Sequence, residues 1–244
     1  MTQRREERRK RERKGKDNGV KISMRIESKD NEESILRWFD KEVEEGENSI
    51  FVYPDLQAFR QIYTKYVKDQ FAAAGEQDVE DSKFDKKSSS SSKSRIILIA
   101  PFYETVDSLK HHLSAFGVEN IQRLIDSGSL VIVDSFYYFF PDPNGMKKLI
   151  DSLSVRARKE GRVGVTAIVD MGSFFFFGGD SKAAHLISYE TSLAPKTQDG
   201  NVKGISCYHF GNYKTLTDTD KEQITQGQKK KLLEVTENNN ITSR

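Results

Sequence analysis

Apolar positions along the chain recur in two periods, every three to four residues and in short unbroken runs, and the two alternate. Ile35, Phe39 and Val43 repeat every four residues behind Asp30, with Glu33 at the capping-box position and Gly46 as a stop, which predicts a helix within an N-terminal extension over residues 21–47. Ser49–Tyr53 reads as a first strand, and Pro54-Asp55 opens an amphipathic helix marked by Leu56, Phe59, Tyr63, Tyr66 and Phe71 and closed by Gly75. Arg95–Ala100 is a second strand whose continuous apolar core suits burial on both faces. Val106, Leu109, Leu113 and Phe116 form a helical face ended by Gly117, and a short helix around Val118–Asp126 precedes a third strand, Leu130–Asp134. The rhythm then repeats. A helix spans Asn144–Glu160, with Met146, Leu149, Ile150 and Leu153 inward and Gly161 as its stop. Val163–Asp170 is a fourth strand, Asp180–Ala194 a helix and Gly204–Phe210 a fifth strand. A last helix starts near Thr219, with Glu222 at the capping-box spacing, and frays into Asn238–Asn240.

Five alternations of strand and helix predict an α/β domain. Its expected form is three-layered, a mostly parallel sheet of five or slightly more strands with helices on both faces. This domain is expected over residues 48–237. Residues 76–94, acidic, then Lys-rich, then a run of five serines, have the composition of a low-complexity insertion. Residues 1–20 and 238–244 offer no apolar periodicity and are expected to be disordered.

Charge changes the picture only locally. The formal net charge is +2 over 244 residues, yet the first sixteen carry nine Lys/Arg and three Glu, so the remainder is mildly acidic. Such an arm attracts phosphates without sequence preference, but an acidic body gives it no second basic surface. A solvated tail is the favoured reading, and nucleic acid is not a favoured partner. Cys207 is the only cysteine, which excludes an intramolecular disulfide and a multi-cysteine zinc site. The basic N-terminus lacks the apolar core of a secretory signal, and no apolar run reaches the roughly 18 residues of a membrane span. A cytoplasmic protein without a membrane partner is expected.

In parallel sheets, ligands bind beyond the carboxyl ends of the strands. A nucleotide-hydrolysing reading needs a Gly-rich loop and a Lys after the first strand; Tyr53-Pro54-Asp55-Leu56 stands there instead, with proline removing a donor and aspartate repelling phosphate. Gly178-Gly179-Asp180-Ser181-Lys182 fails the spacing and reads as a turn followed by an N-cap. After the third strand comes Phe136-Tyr137-Tyr138-Phe139-Phe140, and after the fourth Phe174-Phe175-Phe176-Phe177. Two aromatic loops at one edge suggest a plug over the core, an apolar pocket or a protein interface. In the pocket reading, Tyr137 and Tyr138 orient a polar group of the ligand and Asp170 accepts a hydrogen bond beside them. Asp134 and Asp170 end the third and fourth strands; accepting loop N–H bonds is their favoured role. Cys207 and His209 share one face of the fifth strand by the period-2 rule, and on the neighbouring helix His112 points inward and His111 outward. No metal site, cofactor or catalytic constellation is expected.

The run RIILIAPFYETVDSLKHHLSAFGVENIQRLIDSGSLVIVDS, from Arg95, resembles the KaiC/RecA-like pattern of strand, helix, a Gly-Val turn with a short acidic helix, and Ser-Gly-Ser-Leu-Val-Ile leading into the next strand. In the form lacking a phosphate loop it is similar to the MEDS family, the sensory domain of DcmR-type regulators. Tyr53, Asp170-Met171, Tyr189-Glu190 and Cys207-Tyr208 carry further likenesses. The chain departs from that pattern in having Asp170-Met171-Gly172-Ser173-Phe174 where the family has Glu-Met followed by Trp, and in lacking a His-Pro pair after Leu233. The resemblance implies a RecA/Rossmann-like fold and a non-catalytic sensory domain of archaeal or bacterial type, acting in signalling or transcriptional regulation and binding a small, partly apolar, hydrocarbon-derived molecule, with a separate protein partner for output. The expected ligand-binding residues are Phe136, Tyr137, Tyr138, Phe174, Phe175 and Phe176 from the pocket reading, together with Tyr53, Asp170, Tyr189, Glu190 and Cys207, at the positions where the resemblance falls. The alternatives are a diverged RecA/KaiC-like ATPase and a nucleic-acid-associated protein using the basic arm.

Overall fold

The computed structural model describes residues 21–25, 35, 37, 43, 45–78, 94–177, 182–192, 201–226 and 232–236. Its strands are β1 (Lys21–Arg25), β2 (Asn48–Tyr53), β3 (Ile96–Ala100), β4 (Leu130–Ile132), β5 (Val165–Asp170), β6 (Val202–His209) and β7 (Leu232–Thr236). Its helices are α1 (Leu56–Asp78), α2 (Val106–Ala115), α3 (Ile121–Asp126), α4 (Ser135–Phe139), α5 (Gly145–Lys159), α6 (Gly172–Phe177), α7 (Lys182–Ser192), α8 (Phe210–Tyr213) and α9 (Asp218–Gln226).

The strands form one sheet in the order β1-β7-β2-β6-β5-β3-β4, and every neighbouring pair is parallel. All side chains of β2, β3 and β5 are buried, as their unbroken apolar runs require of strands covered on both sides. Phe51, Tyr53, Ile97, Ile99, Ile168, Ile205 and Cys207 point to one face, where Phe59, Ile62, Tyr63 and Val67 of α1 and Leu109 and Leu113 of α2 cover them. Ile50, Val52, Leu98, Val165, Ala167, Val169 and Tyr208 point to the other, against Met146, Ile150 and Leu153 of α5, Leu186 and Tyr189 of α7 and Ile224 of α9. This is a three-layer Rossmann/RecA-like α/β fold. Gly117 (φ 87°) and Gly161 (φ 69°) follow the last residues of α2 and α5 in the left-handed conformation, which ends both helices.

Three expectations are corrected. Lys21–Arg25 lies not in a helical extension but in β1, in register with β7. Its sequence alternates polar and apolar residues, a period of two that suits a strand. The last helix stops at Gln226, and the Leu- and Val-containing segment Leu232–Thr236 then inserts as β7 between β1 and β2. The sheet therefore has seven strands, the slightly larger form of the expected parallel sheet. Finally, α1 runs through Gly75 to Asp78, since a single glycine weakens a helix without being obliged to break it. The basic arm, most of the serine-rich insertion, Gly178–Ser181 and the C-terminal tail lie outside the described residues.

The start of α1 rests on Asp55, whose Oδ1 accepts from the Ala58 N–H at 2.8 Å. Asp55→Ala is expected to cost about 1 kcal/mol, read as a lower urea midpoint with an unchanged m-value; an unchanged midpoint would show that the cap contributes nothing.

Candidate functional site

The connections out of the sheet divide at its carboxyl edge. The helices after β2 and β3 pass to one face and those after β5 and β6 to the other. In such sheets the ligand crevice forms between diverging connections; the switch points that define it here lie between β2 and β6 and between β5 and β3.

Asp170 sits at its floor. The side chain is fully buried, and its Oδ2 accepts from the Tyr53 hydroxyl at 2.7 Å while Oδ1 accepts from the Gly172 N–H at 2.8 Å. A backbone N–H bond from Phe102 is a further contact. Burial pushes the carboxyl up to about 7 against the pull of these three donors, and the charge of Glu104 adds to the rise. Tyr53 is held well above the ordinary phenol range, first by burial and then by the carboxylate it serves. Its ring stacks on Phe59 of α1 at 4.6 Å. Cys207 pairs in register with both Phe51 and Asp170 on the same face, and burial raises its thiol.

The position after β2 is thus filled from within. Tyr53 points beneath the first turn of α1 to reach Asp170, and Asp55 occupies the Ala58 N–H, one of the donors that a phosphate would use.

Above the floor runs a chain of rings. Phe102 lies 5.0 Å from Tyr103 and 6.0 Å from Phe176 of α6, and His209 lies 5.6 Å from both Tyr103 and Tyr53. Tyr103 is 41% and Phe176 73% exposed. A Cβ on Gly172 would come within 2.3 Å of the Phe102 ring, so only glycine lets α6 begin this close to it. Asn212 of α8 donates to the Tyr103 hydroxyl. The β3–α2 loop is anchored by Glu104, which accepts from Arg60 at 3.0 Å and from the Tyr63 hydroxyl at 2.8 Å. Burial and this carboxylate raise Tyr63, while burial, then Arg60, lowers the neighbouring His112.

The two aromatic runs are helical turns rather than loops. Asp134 caps α4 by accepting from the Phe136 N–H at 2.8 Å, the role expected of it, and Asp170 serves Gly172 at the start of α6 in the same way. The runs do converge, because β4 and β5 flank β3. Phe139 packs on Phe174 at 4.8 Å, both meet Tyr189, and Ser135 and Ser173 share a buried hydroxyl contact of 3.3 Å. These inward rings plug the core. Phe175 approaches Tyr208 at 6.4 Å, and Tyr138 packs on the same cluster. Tyr137 (71% exposed) and Phe140 (65%) face outward beside half-buried Phe136. Tyr137 and Tyr138 do not serve Asp170, whose partners are Tyr53 of β2, the Gly172 N–H and the loop after β3.

Tyr189 and Glu190 lie on α7, on the opposite face from Asp170. Glu190 accepts from the Tyr208 hydroxyl at 2.5 Å and from Asn48 at 3.0 Å, a second buried carboxylate tied to a strand tyrosine. The structure therefore brings Tyr53, Asp170 and Cys207 together and separates them from Tyr189 and Glu190. Phe102, Tyr103 and Asn212 were not anticipated, and His209 had no assigned role. Phe102 and Tyr103 directly follow the second strand, so the rule about carboxyl ends, applied there too, reaches them; nothing in the sequence marks Asn212. Among the described residues no cluster of three or more His, Cys, Asp or Glu is arranged to hold a metal, and no helix is long and apolar enough to cross a membrane.

No model of a known protein family matches the chain, and no curated protein matches its sequence.

Two outcomes test this geometry. The unfolded carboxyl titrates near 3.9, so the folded state holds a proton on Asp170 that the unfolded chain releases between there and about 7. This raised value stabilises fully below the unfolded pKa and is lost as pH rises through 7, a fall of about 4 kcal/mol across the window. Urea unfolding from pH 4 to 8 should show Asp170→Asn losing less stability than the parent; equal losses would place the titration elsewhere. Phe174→Ala should cost roughly 3–5 kcal/mol and exposed Phe176→Ala under about 0.5 kcal/mol, and similar costs at both positions would contradict the division into plug and crevice.

Proposed function

We propose that this chain is a non-catalytic, cytoplasmic sensory domain that binds a small, partly apolar molecule at the carboxyl edge and passes the event to a protein partner in signalling or transcriptional regulation. The observation that supports it is the state of the position after β2. Tyr53 and Asp55 occupy what a nucleotide's phosphates would need, while exposed rings line the crevice beside it. Partly exposed aromatic walls with a few polar groups among them suit a small organic ligand, and the resemblance to MEDS sensory domains points the same way. The ligand-contacting set under this reading is Phe102, Tyr103, Phe176 and His209, with Tyr53 and Asp170 beneath as positioning residues rather than contacts. The outward rings Tyr137 and Phe140 stand apart from the crevice and are assigned to the output partner.

The rival reading, a diverged ATPase, draws on the carboxylates Asp170 and Glu104 at the same edge. Both are already committed, Asp170 to Tyr53 and Glu104 to Arg60 and Tyr63. A titration with a fluorescent ATP analogue and magnesium is expected to show no saturable binding at micromolar nucleotide. Saturable binding lost on mutation beside Pro54 would favour the enzyme. Conversely, a thermal-shift screen of small alcohols, ketones, amines and acids on the full chain is expected to find compounds that raise the Tm, with the rise abolished in Tyr103→Ala. A rise that survives that substitution would move the site away from the crevice.

A further inference from the structure

The hydrogen-bonding inventory of the crevice restricts what it can hold. His209 Nδ1 accepts from the Gly211 N–H at 3.2 Å, so that nitrogen presents a lone pair and the ring proton lies on Nε2. Asn212 donates its amide to the Tyr103 oxygen, so the Tyr103 hydroxyl proton points elsewhere. Two donors therefore remain, on rings 5.6 Å apart, without an acceptor among the described residues. The carboxylates nearby do not supply one: Asp170 is buried and served by Tyr53 and Gly172, and Glu104 by Arg60 and Tyr63.

Charge narrows the class further. An anion entering the crevice would lose its hydration without a cationic partner to replace it. A cation fares no better, because Asp170 is buried and cannot form an ion pair with it. Arg60, the guanidinium near this edge, is engaged with Glu104. On the outer side Phe102 and Phe176 add apolar surface, their centroids 6.0 Å apart.

Resting on the ligand-binding reading above, we infer that the crevice takes a neutral, largely apolar molecule with one acceptor oxygen of the ketone or ether type. The oxygen accepts from the Tyr103 hydroxyl and His209 Nε2–H, and the hydrocarbon part lies against Phe102 and Phe176.

The test uses the full chain and four six-membered-ring probes of matched size: cyclohexanone, methylcyclohexane, cyclohexylamine as the ammonium and cyclohexanecarboxylate. Affinities are measured by calorimetry at neutral pH and cross-checked by thermal shift. Cyclohexanone is expected to bind at least about tenfold more tightly than either charged probe. Tyr103→Phe and His209→Phe are each expected to weaken cyclohexanone about fivefold while leaving methylcyclohexane unchanged. Both side chains are partly exposed, and an unaltered unliganded Tm would establish that the variants fold. Tighter binding of the ammonium or the carboxylate, or cyclohexanone binding indifferent to both substitutions, would overturn the assignment of ligand class and leave the binding reading standing. Binding by none of the four at millimolar concentration would remove both.

Discussion

A carboxylate with no access to water must find its donors within the protein or give up its charge. Asp170 is that group, and its donors come from three directions. Tyr53 reaches it from β2, two strands away, across β6; Gly172 offers its N–H from the turn into α6; and Phe102 contributes from the loop after β3. One side chain thereby ties together three of the four segments that bound the crevice. The Tyr53 ring must lie flat beneath α1 for its hydroxyl to reach, which sets it against Phe59 and fills the space under the helix terminus. The Phe102 N–H must turn toward Asp170, which directs the β3–α2 loop and with it the Tyr103 ring. The aromatic surface follows from satisfying a buried acid.

The central sheet was legible because its strands are short and largely apolar. Ile96–Ala100 and the run ending in Asp170 can only be buried on both faces, and the helices between them carry clear 3.6-residue faces. The two outermost strands on the β2 side were not legible from the same signal. Lys21–Arg25 and Leu232–Thr236 are five residues each, and each needs the other or β2 as a partner before its pattern means anything. Pairing between residues more than two hundred positions apart leaves no local trace.

The site was legible in its components and not in its contacts. Asp170 stood out because it ends a strand, and Tyr53 because it begins a segment that cannot cradle a phosphate. That the two touch depends on β6 alone lying between β2 and β5, which strand order decides and one sequence does not specify. The aromatic runs misled for another reason. Five consecutive rings have no periodicity of their own, so nothing within Phe136–Phe140 distinguishes a loop from a helix. The decision falls to the residues before them: Asp134 and Asp170 each accept an N–H two positions on and start a helical turn. Once the turn forms, its 3.6-residue period sends Phe139 inward and Tyr137 and Phe140 outward. A uniform aromatic string becomes half core and half surface.

The two faces of the sheet meet the same difficulty in the same way. Asp170 on one face is served by a tyrosine from β2, and Glu190 on the other by Tyr208 of β6 and Asn48 of β2. Phenol and amide donors hydrogen-bond a carboxylate without cancelling its charge, unlike the Arg60 guanidinium beside Glu104. An acid at the floor of the crevice held by neutral donors keeps the local potential negative whenever it is ionised. That potential opposes phosphate and carboxylate ligands over several ångströms. The cap at the start of α1 engages the Ala58 N–H, one of the donors that would otherwise offset it. Building an anion site here would require removing the Tyr53 ring, replacing Asp55 and opening the Pro54 turn together, because each alone leaves the other obstacles in place.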